Sequence, residues 1–455
     1  MNAKKIYLII IILSSLLTHF LFFGHPKETV FDEVHFGKFI SGYFTHQYFF
    51  DIHPPLGKLL ISGMGYLTGF QPGFGFEEIG KKFPNNNYLW LRLLPTLAGV
   101  LLSVVIFYLA LRLGMSKIAS FSASMFIILE NSILTQSRFI LLDSFLLLFG
   151  FGALLAYLSW RNSVSKWSLL LAGVLAGAAV SVKWTGLTFL IIIAAMEIFH
   201  LWKDRLSTTR HRLLSLFCCL VVAPIIIYFG TFVIHFGLLS QSGPGNAFMT
   251  PAFQKTLGGN SISDTVVAKP LNLLQKFTEL NIEMYRANAT LTATHPYSSK
   301  WYTWPFMIRP IYYWYQSFTP DLSSRIYFLG NPIIWWASTI AILYLLLNLL
   351  SRVLKGKTSD VFEKIPFLLV GAYLLNLLPF IGINRAMFLY HYMTALVFTI
   401  LCLTYLIDQL QKKRTIFTVL LTASLIIFVF LLPLTYGLPL NQKAYQARLW
   451  LTTWQ

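Results

Sequence analysis

Two adjacent carboxylates, Asp32 and Glu33, stand just beyond the first membrane-length apolar run, in Phe31-Asp-Glu-Val-His-Phe-Gly-Lys38. His53-Pro-Pro-Leu-Gly-Lys58 follows in the same polar stretch. Charge beside a hydrocarbon boundary is costly and persists where it has a partner or a task. A carboxylate there is able to take a proton from a hydroxyl, and a histidine and a lysine are able to hold phosphate oxygens. Together they suit chemistry on a phosphate-bearing lipid at a membrane surface. Successive helical residues point about 100° apart, so the two carboxylates need not share a role. Asp32 is the candidate base; Glu33 is a candidate to orient an acceptor or hold a cation. The alternative for Asp32 is a helix N-cap or a solvated acidic loop.

Other charges sit at the ends of apolar runs. Arg92 opens the second run in Trp90-Leu-Arg-Leu-Leu94, and Arg138 heads a short loop after the third. Arginine offers phosphate a bidentate fork. Arg92, Arg138, His53 and Lys58 are therefore the candidate phosphate contacts, with snorkelling at a span end as the alternative for the cations. Asp143 and Glu130 flank Arg138, and a structural Arg138–Asp143 pair is as good a reading as a catalytic one. Asp51 is a candidate supporting group. Pro54-Pro55 imposes extended backbone after His53, which aims His53 and Lys58 at one pocket or simply turns the chain. Arg385 and His391 are candidates to close the site.

The elements that must position these groups are apolar. Charged residues make up 11% of the 455 and hydrophobic ones 56%. Runs of about 17–25 apolar residues recur, long enough to cross a hydrocarbon core. Spans are expected at 6–23, 88–111, 118–134, 140–159, 168–182, 185–202, 213–236, 333–350, 365–382, 387–407 and 415–435. The stretch 168–202 is split at Ser181-Val-Lys-Trp-Thr185, because Lys183 at the centre of one long helix would be expensive. Lys4-Lys5 ahead of the first run would fit a signal peptide, but no small-residue cleavage pattern follows, so this run is read as an anchor.

Alternation of the spans puts Lys4-Lys5, Arg112 with Lys117, Arg161 with Lys166, Lys203 to Arg212, Arg352 to Lys364 and Lys412-Lys413-Arg414 on one side. Short loops of the other side carry only Arg138, Lys183 and Arg385. The cation-rich side is cytoplasmic by the positive-inside rule, so the N-terminus is expected inside and the C-terminus outside. The net charge of +18 has the same origin and does not call for nucleic acid. Cys218, Cys219 and Cys402 all lie in apolar runs, so neither a disulfide framework nor a zinc site is expected. Two long loops, 24–87 and 237–332, fall outside. The second turns aromatic from Trp301 to Tyr315, as segments lying at an interface do.

The whole pattern resembles the protein O-mannosyltransferase family. The resemblance rests on 31–58, on Gln136-Ser-Arg-Phe-Ile-Leu-Leu-Asp143, on His295-Pro-Tyr-Ser-Ser-Lys-Trp-Tyr-Thr-Trp-Pro305, on Gly330-Asn-Pro-Ile-Ile-Trp-Trp336 and on Phe388-Leu-Tyr-His-Tyr392. Five motifs in the family's order are hard to reach by chance. The resemblance implies an all-α polytopic fold of GT-C type with about eleven transmembrane helices. One membrane-embedded domain would cover 1–455, with a four-span region at 333–455. It implies transfer of mannose, with inversion, from a polyprenyl-phosphate (dolichyl-phosphate) carrier to Ser or Thr of secreted or membrane proteins, some met as they leave the secretion machinery.

It further implies that an arginine at the position of Arg92 matters for activity. His295, Tyr297, Trp301, Trp304 and Arg309 become candidate sugar or acceptor contacts, with an interfacial aromatic belt as the alternative. No metal or cofactor is implied, and no nucleic-acid partner. Eukaryotic members carry a β-trefoil (MIR) domain in the large loop. Residues 237–332 are too few to hold one, which points to the compact type of a prokaryotic cell membrane. A relative that glycosylates lipid or glycan, as in aminoarabinose transfer, is the second reading. A transporter is the third; it leaves the two long charged loops unexplained, and the spans show no two similar halves.

Overall fold

The computed structural model describes residues 3–163, 165–203, 210–263, 268–290, 294–356, 365–383 and 385–455. The cations expected within 204–209 and 357–364 lie outside the described residues. Helices α1 (Ala3–Phe20), α2 (Glu33–Thr45), α3 (Leu56–Leu67) and α4 (Tyr88–Arg112) build the first part. The bent pair α5 (Lys117–Ile128) and α6 (Asn131–Ser137) follows, then α7 (Asp143–Ser163), α8 (Lys166–Val182), α9 (Leu187–Lys203), α10 (Arg210–Phe217) and α11 (Ala223–Leu238). Short α12 (Pro251–Gln254) and long α13 (Leu273–Thr290) belong to the large loop, and α14 (Pro332–Leu354), α15 (Ile365–Leu377), α16 (Met393–Asp408) and α17 (Lys413–Tyr436) close the bundle.

Local chemistry sets several of these boundaries. Ser116 caps α5 by accepting from Ala119 N–H, and Glu130 caps α6 by accepting from Ser132 N–H at 3.2 Å. Asn331 caps α14 just ahead of Pro332 in its first turn. Lys183 is extended (φ −148°, ψ 143°) and ends α8 where the sequence reading split 168–202. Glycines let α8 approach its neighbours closely. A Cβ on Gly173 would lie 1.6 Å from the Cys219 carbonyl oxygen, and one on Gly177 would lie 2.6 Å from Pro224 Cα. The α4, α7 and α16 segments are the most enclosed, whereas α1, α11 and α17 mostly face outward, as lipid-facing helices do.

Among the described residues, nine helical segments are long and apolar enough to cross a membrane, ten if α5 and α6 form one span. The expected eleven needs the 17-residue α8 to cross as well. The chain is a mostly helical multi-pass membrane protein.

A small sheet accompanies the helices. Ile311–Ser317 (β1), Leu322–Phe328 (β2) and Pro439–Asn441 (β3) form an antiparallel sheet in the order β1-β2-β3. Aromatic and β-branched residues on either side of a Thr319-Pro320-Asp321 turn favour strands, although their density also resembles an interfacial belt. The register slips between Tyr312 and Trp314, and the bulge leaves Tyr313 without a ladder partner.

Candidate active site

The first long loop reaches the site on uncommon backbone. Phe31 has φ 45°, a left-handed value rare for a bulky residue. Its ring stacks on Tyr313 (4.0 Å, 6°), and its N–H donates to the Tyr313 carbonyl (3.1 Å). Asp32 then takes the N-cap position of α2, yet its carboxylate makes no capping hydrogen bond. Nor does it form a hydrogen bond or ion pair with any other described residue. The side chain is half-buried. Burial raises its pKa from the ordinary carboxylate range to about 7; the Lys183 ammonium opposes the rise, and Asp143 and Asp51 add to it.

Glu33 differs in every respect. It is wholly buried. It accepts from Arg92 Nε (2.8 Å) and Nη2 (2.7 Å), and from the N–H groups of Val30 (2.9 Å) and Ile140 (2.9 Å). Arg92, also wholly buried, gives its other N–H groups to the carbonyls of Gly24 (2.9 Å), Pro26 (2.8 Å) and Glu28 (2.8 Å). All five of its donors are taken, so Arg92 has none to offer a phosphate and Glu33 has none of its charge facing a cavity. This corrects the reading of Arg92 as a phosphate contact, whereas Glu33 takes the second of its two expected roles and holds a cation. The pair pins loop one to α4.

Two more expected phosphate contacts bond elsewhere, Arg138 with its buried Nε left without a partner among the described residues. Arg138 donates to the carbonyls of Phe22 (2.6 Å), Leu21 (3.3 Å) and Thr435 (3.4 Å), with its guanidinium 4.3 Å from the Tyr436 ring centroid. It ties the ends of α1 and α17 together and does not pair with Asp143. Lys58 is buried and bonded to Asp51, to the His53 carbonyl (2.8 Å) and to the Pro54 carbonyl (3.2 Å), which uses its three donors. Glu130, which flanks Arg138 in the sequence, is bonded elsewhere. It accepts from Ser132 Oγ (2.9 Å) and Asn331 N–H (3.0 Å), linking α6 to α14.

A cavity of about 540 Å³ opens between α7, α9, α13, α15 and α16. Its polar lining includes His53, Asp143, Lys183, Arg385, Tyr390 and His391. Leu146, Leu147, Leu187, Ile191, Leu375 and Met393 make it apolar further along the helices. Asp32 is not among the lining residues; of the charges that reach it, Lys183 and Asp143 are, and Asp51 is not. Lys183 Nζ donates to Asp143 Oδ1 (2.7 Å), and the other Asp143 oxygen accepts from Gln136 Nε2 (2.6 Å). Arg385 is half-buried, and its guanidinium has no hydrogen-bond or ion-pair partner among the described residues. Burial, with Lys183, Lys58, Arg385 and His391 nearby, holds His53 well below the usual imidazole range. So many cations around one neutral imidazole mark a site built for an anion.

The aromatic candidates stand outside the cavity lining, with Trp304 reaching it through His391. Trp304 is wholly buried, donates to Ser299 Oγ (2.9 Å) and stacks on His391 (5.9 Å, 9°). No face of it is left for a sugar. Arg309 lies over Tyr297 and donates to the carbonyls of Thr453 (3.0 Å) and Pro296 (3.1 Å). His295 is exposed and packs on Tyr297 and Phe388, while Trp301 packs against the core; neither lines the cavity. The sequence reading missed Lys183 and Gln136 as site residues. In the sequence Lys183 reads as a helix breaker and a loop cation, although a lysine retained inside an apolar stretch is itself a signal of function. Among the described residues, no cluster of three His, Cys, Asp or Glu side chains is placed to hold a metal ion.

Comparison with known proteins now bears on this geometry. A family described as dolichyl-phosphate-mannose-protein mannosyltransferase matches residues 9–240. A second, described as the C-terminal four TMM region of protein-O-mannosyltransferase, matches 273–454. The chain is 39% identical to dolichyl-phosphate-mannose--protein mannosyltransferase 1 of Candida albicans over 252 residues, which are 52% of this chain and 29% of that protein. It is 37% identical to protein O-mannosyltransferase 1 of Drosophila melanogaster over 54% of this chain and 29% of the other. The matched stretch thus spans less than a third of either relative.

In fold, it is similar to the Saccharomyces cerevisiae protein O-mannosyltransferase Pmt1-Pmt2 complex bound to the sugar donor. The TM-score is 0.92 at 21% identity, covering 100% of this chain and 93% of the other. The apo oligosaccharyltransferase of Archaeoglobus fulgidus is a more distant likeness, with a TM-score of 0.53 at 14% identity over 98% of this chain and 57% of the other. The architecture is therefore of the GT-C kind. With one family match over its first half and another over most of the remainder, the chain belongs to the protein O-mannosyltransferase family.

Proposed function

We propose that this chain transfers mannose from a polyprenyl-phosphate carrier to a Ser or Thr hydroxyl of a protein, at the external face of the membrane. The observation that carries the reading is the Asp32 carboxylate. It stands at a helix N-cap without capping, unpaired among the described residues, beside a cavity whose polar wall gathers Lys183, Arg385, His53 and His391. The apolar wall beyond suits a prenyl chain. The names of the relatives support mannose as the sugar and protein as the acceptor.

In this scheme the acceptor oxygen attacks the anomeric carbon as the bond from that carbon to the phosphate oxygen breaks. The hydroxyl proton passes to Asp32. A single displacement inverts the anomeric centre. The departing lipid phosphate gains a negative charge, which the Lys183 ammonium and the Arg385 guanidinium offset. Lys183 keeps two donors beyond the one given to Asp143. His53 and His391 supply further hydrogen bonds. The donor lipid carries its own leaving group, so the scheme needs no cofactor. His295, Tyr297 and Trp301 stand on the acceptor side as the frame of the entrance rather than as sugar platforms. The N-terminus is cytoplasmic and the C-terminus external.

Purified protein incubated with polyprenyl-phosphate mannose and a fluorescent Ser/Thr-rich peptide should yield peptide heavier by one hexose. No mass gain with active donor would sink the reading. For sidedness, a single cysteine at exposed Lys300, in a chain lacking Cys218, Cys219 and Cys402, should react with an impermeant thiol reagent on intact cells. Labelling only after lysis would place the site on the wrong face.

A further inference from the structure

We infer that Tyr313 is a positioning residue that sets the spacing between Asp32 and the Lys183–Asp143 pair. Tyr313 sits at the bulge of β1, so it is free of the ladder and turned toward loop one. On one side it holds Phe31, the residue before Asp32, by a ring stack and by a backbone hydrogen bond. On the other side its hydroxyl donates to Gln136 Oε1. Gln136 Nε2 donates to Asp143 Oδ2, and Asp143 Oδ1 accepts from Lys183 Nζ. A continuous run of side-chain hydrogen bonds thus joins the sheet to the cavity cation. Each member is buried: Tyr313 0%, Gln136 2%, Asp143 6% and Lys183 8% exposed. A buried polar chain with each link made holds one arrangement, because a broken link leaves an unpaired group at a cost. Glu33 reaches the same region from behind, by accepting from the N–H of Ile140.

The inference deepens the functional reading and rests on it. Asp32 is faced by Lys183 from the break after α8, Asp143 from α7, Asp51 from loop one, Tyr313 from β1 and Tyr390 from the turn before α16. Of these only Lys183 favours the ionised base. Removing the Tyr313 hydroxyl frees Gln136, loosens its grip on Asp143 and lets the Lys183 ammonium drift from Asp32. The base then holds its proton to higher pH.

The test is the pH profile of kcat/KM for the full chain in detergent, with polyprenyl-phosphate mannose and a Ser/Thr-rich peptide. Tyr313→Phe keeps the ring stack and loses only the hydroxyl. It should move the acid limb upward by about 0.5–1 pH, with thermal unfolding lowered only by the cost of one unpaired Gln136 oxygen. Gln136→Leu cuts the same run from the other side and should move the limb in the same direction. An active Tyr313→Phe enzyme with the wild-type limb overturns the positioning role, whatever its stability. A wild-type chain that transfers nothing overturns the functional reading instead, and the inference with it.

Discussion

Arg92 and Arg385 are both arginines near the ends of apolar helices, and they end in opposite states. Arg92 is fully enclosed, paired with Glu33 and three carbonyls, and its five donors are spent. Arg385 lines a cavity with no partner among the described residues. Asp32 and Glu33 repeat the contrast one residue apart. The Glu33 carboxylate accepts four hydrogen bonds, and the Asp32 carboxylate accepts none among the described residues. Burial and charge are common to the whole region around loop one. Open hydrogen-bonding capacity is what separates the architecture at Glu33 and Arg92 from the chemistry at Asp32, Lys183 and Arg385.

The largest effect should come from breaking the saturated half. Arg92→Gln leaves the Glu33 charge buried without its partner, at a cost of about 3–5 kcal/mol. Yield and thermal midpoint in detergent should fall together. A variant that folds like wild type and loses only donor affinity would return Arg92 to the phosphate. Next in size, Asp32→Asn should lower turnover by about a hundredfold, the scale of a lost general base. Its thermal midpoint and donor binding should not change. A normal rate removes Asp32 from the reaction.

Smaller again, Arg385→Gln should weaken donor-lipid binding by about tenfold, the worth of a hydrogen bond to a charged group, and leave stability intact. Equal affinity in the variant would deny Arg385 a phosphate. The mildest probe is pH. With the Asp32 pKa raised to about 7, the base form prevails above that value, so the rate should fall as pH drops through about 7. A limb in the ordinary carboxylate range would instead mean that water screens Asp32 fully.

Much of this protein was legible as text. Apolar runs announced the helices, and Lys183 announced the break after α8, because an unpaired ammonium inside one long span is expensive. Asp32 stood out by position alone. The sheet was harder to read, since Ile311–Ser317 has the aromatic density of an interfacial belt and its ladder partners lie in β2 and, for β2, in β3 far along the chain. The motif 136–143 was recognisable, yet its Arg138 turned out to be a brace and its Gln136 a link.

What the sequence by itself determined is the inventory: helices, loops, and charges retained at a membrane boundary, because composition and spacing set those locally. What only the tertiary structure decided is which charges remain open. Arg92 meets Glu33 across 59 residues, and Lys183 meets Asp143 across 40. No local pattern encodes those meetings. They arise when helix packing carries distant polar groups into one enclosed volume, where each must find a partner or remain available to a substrate.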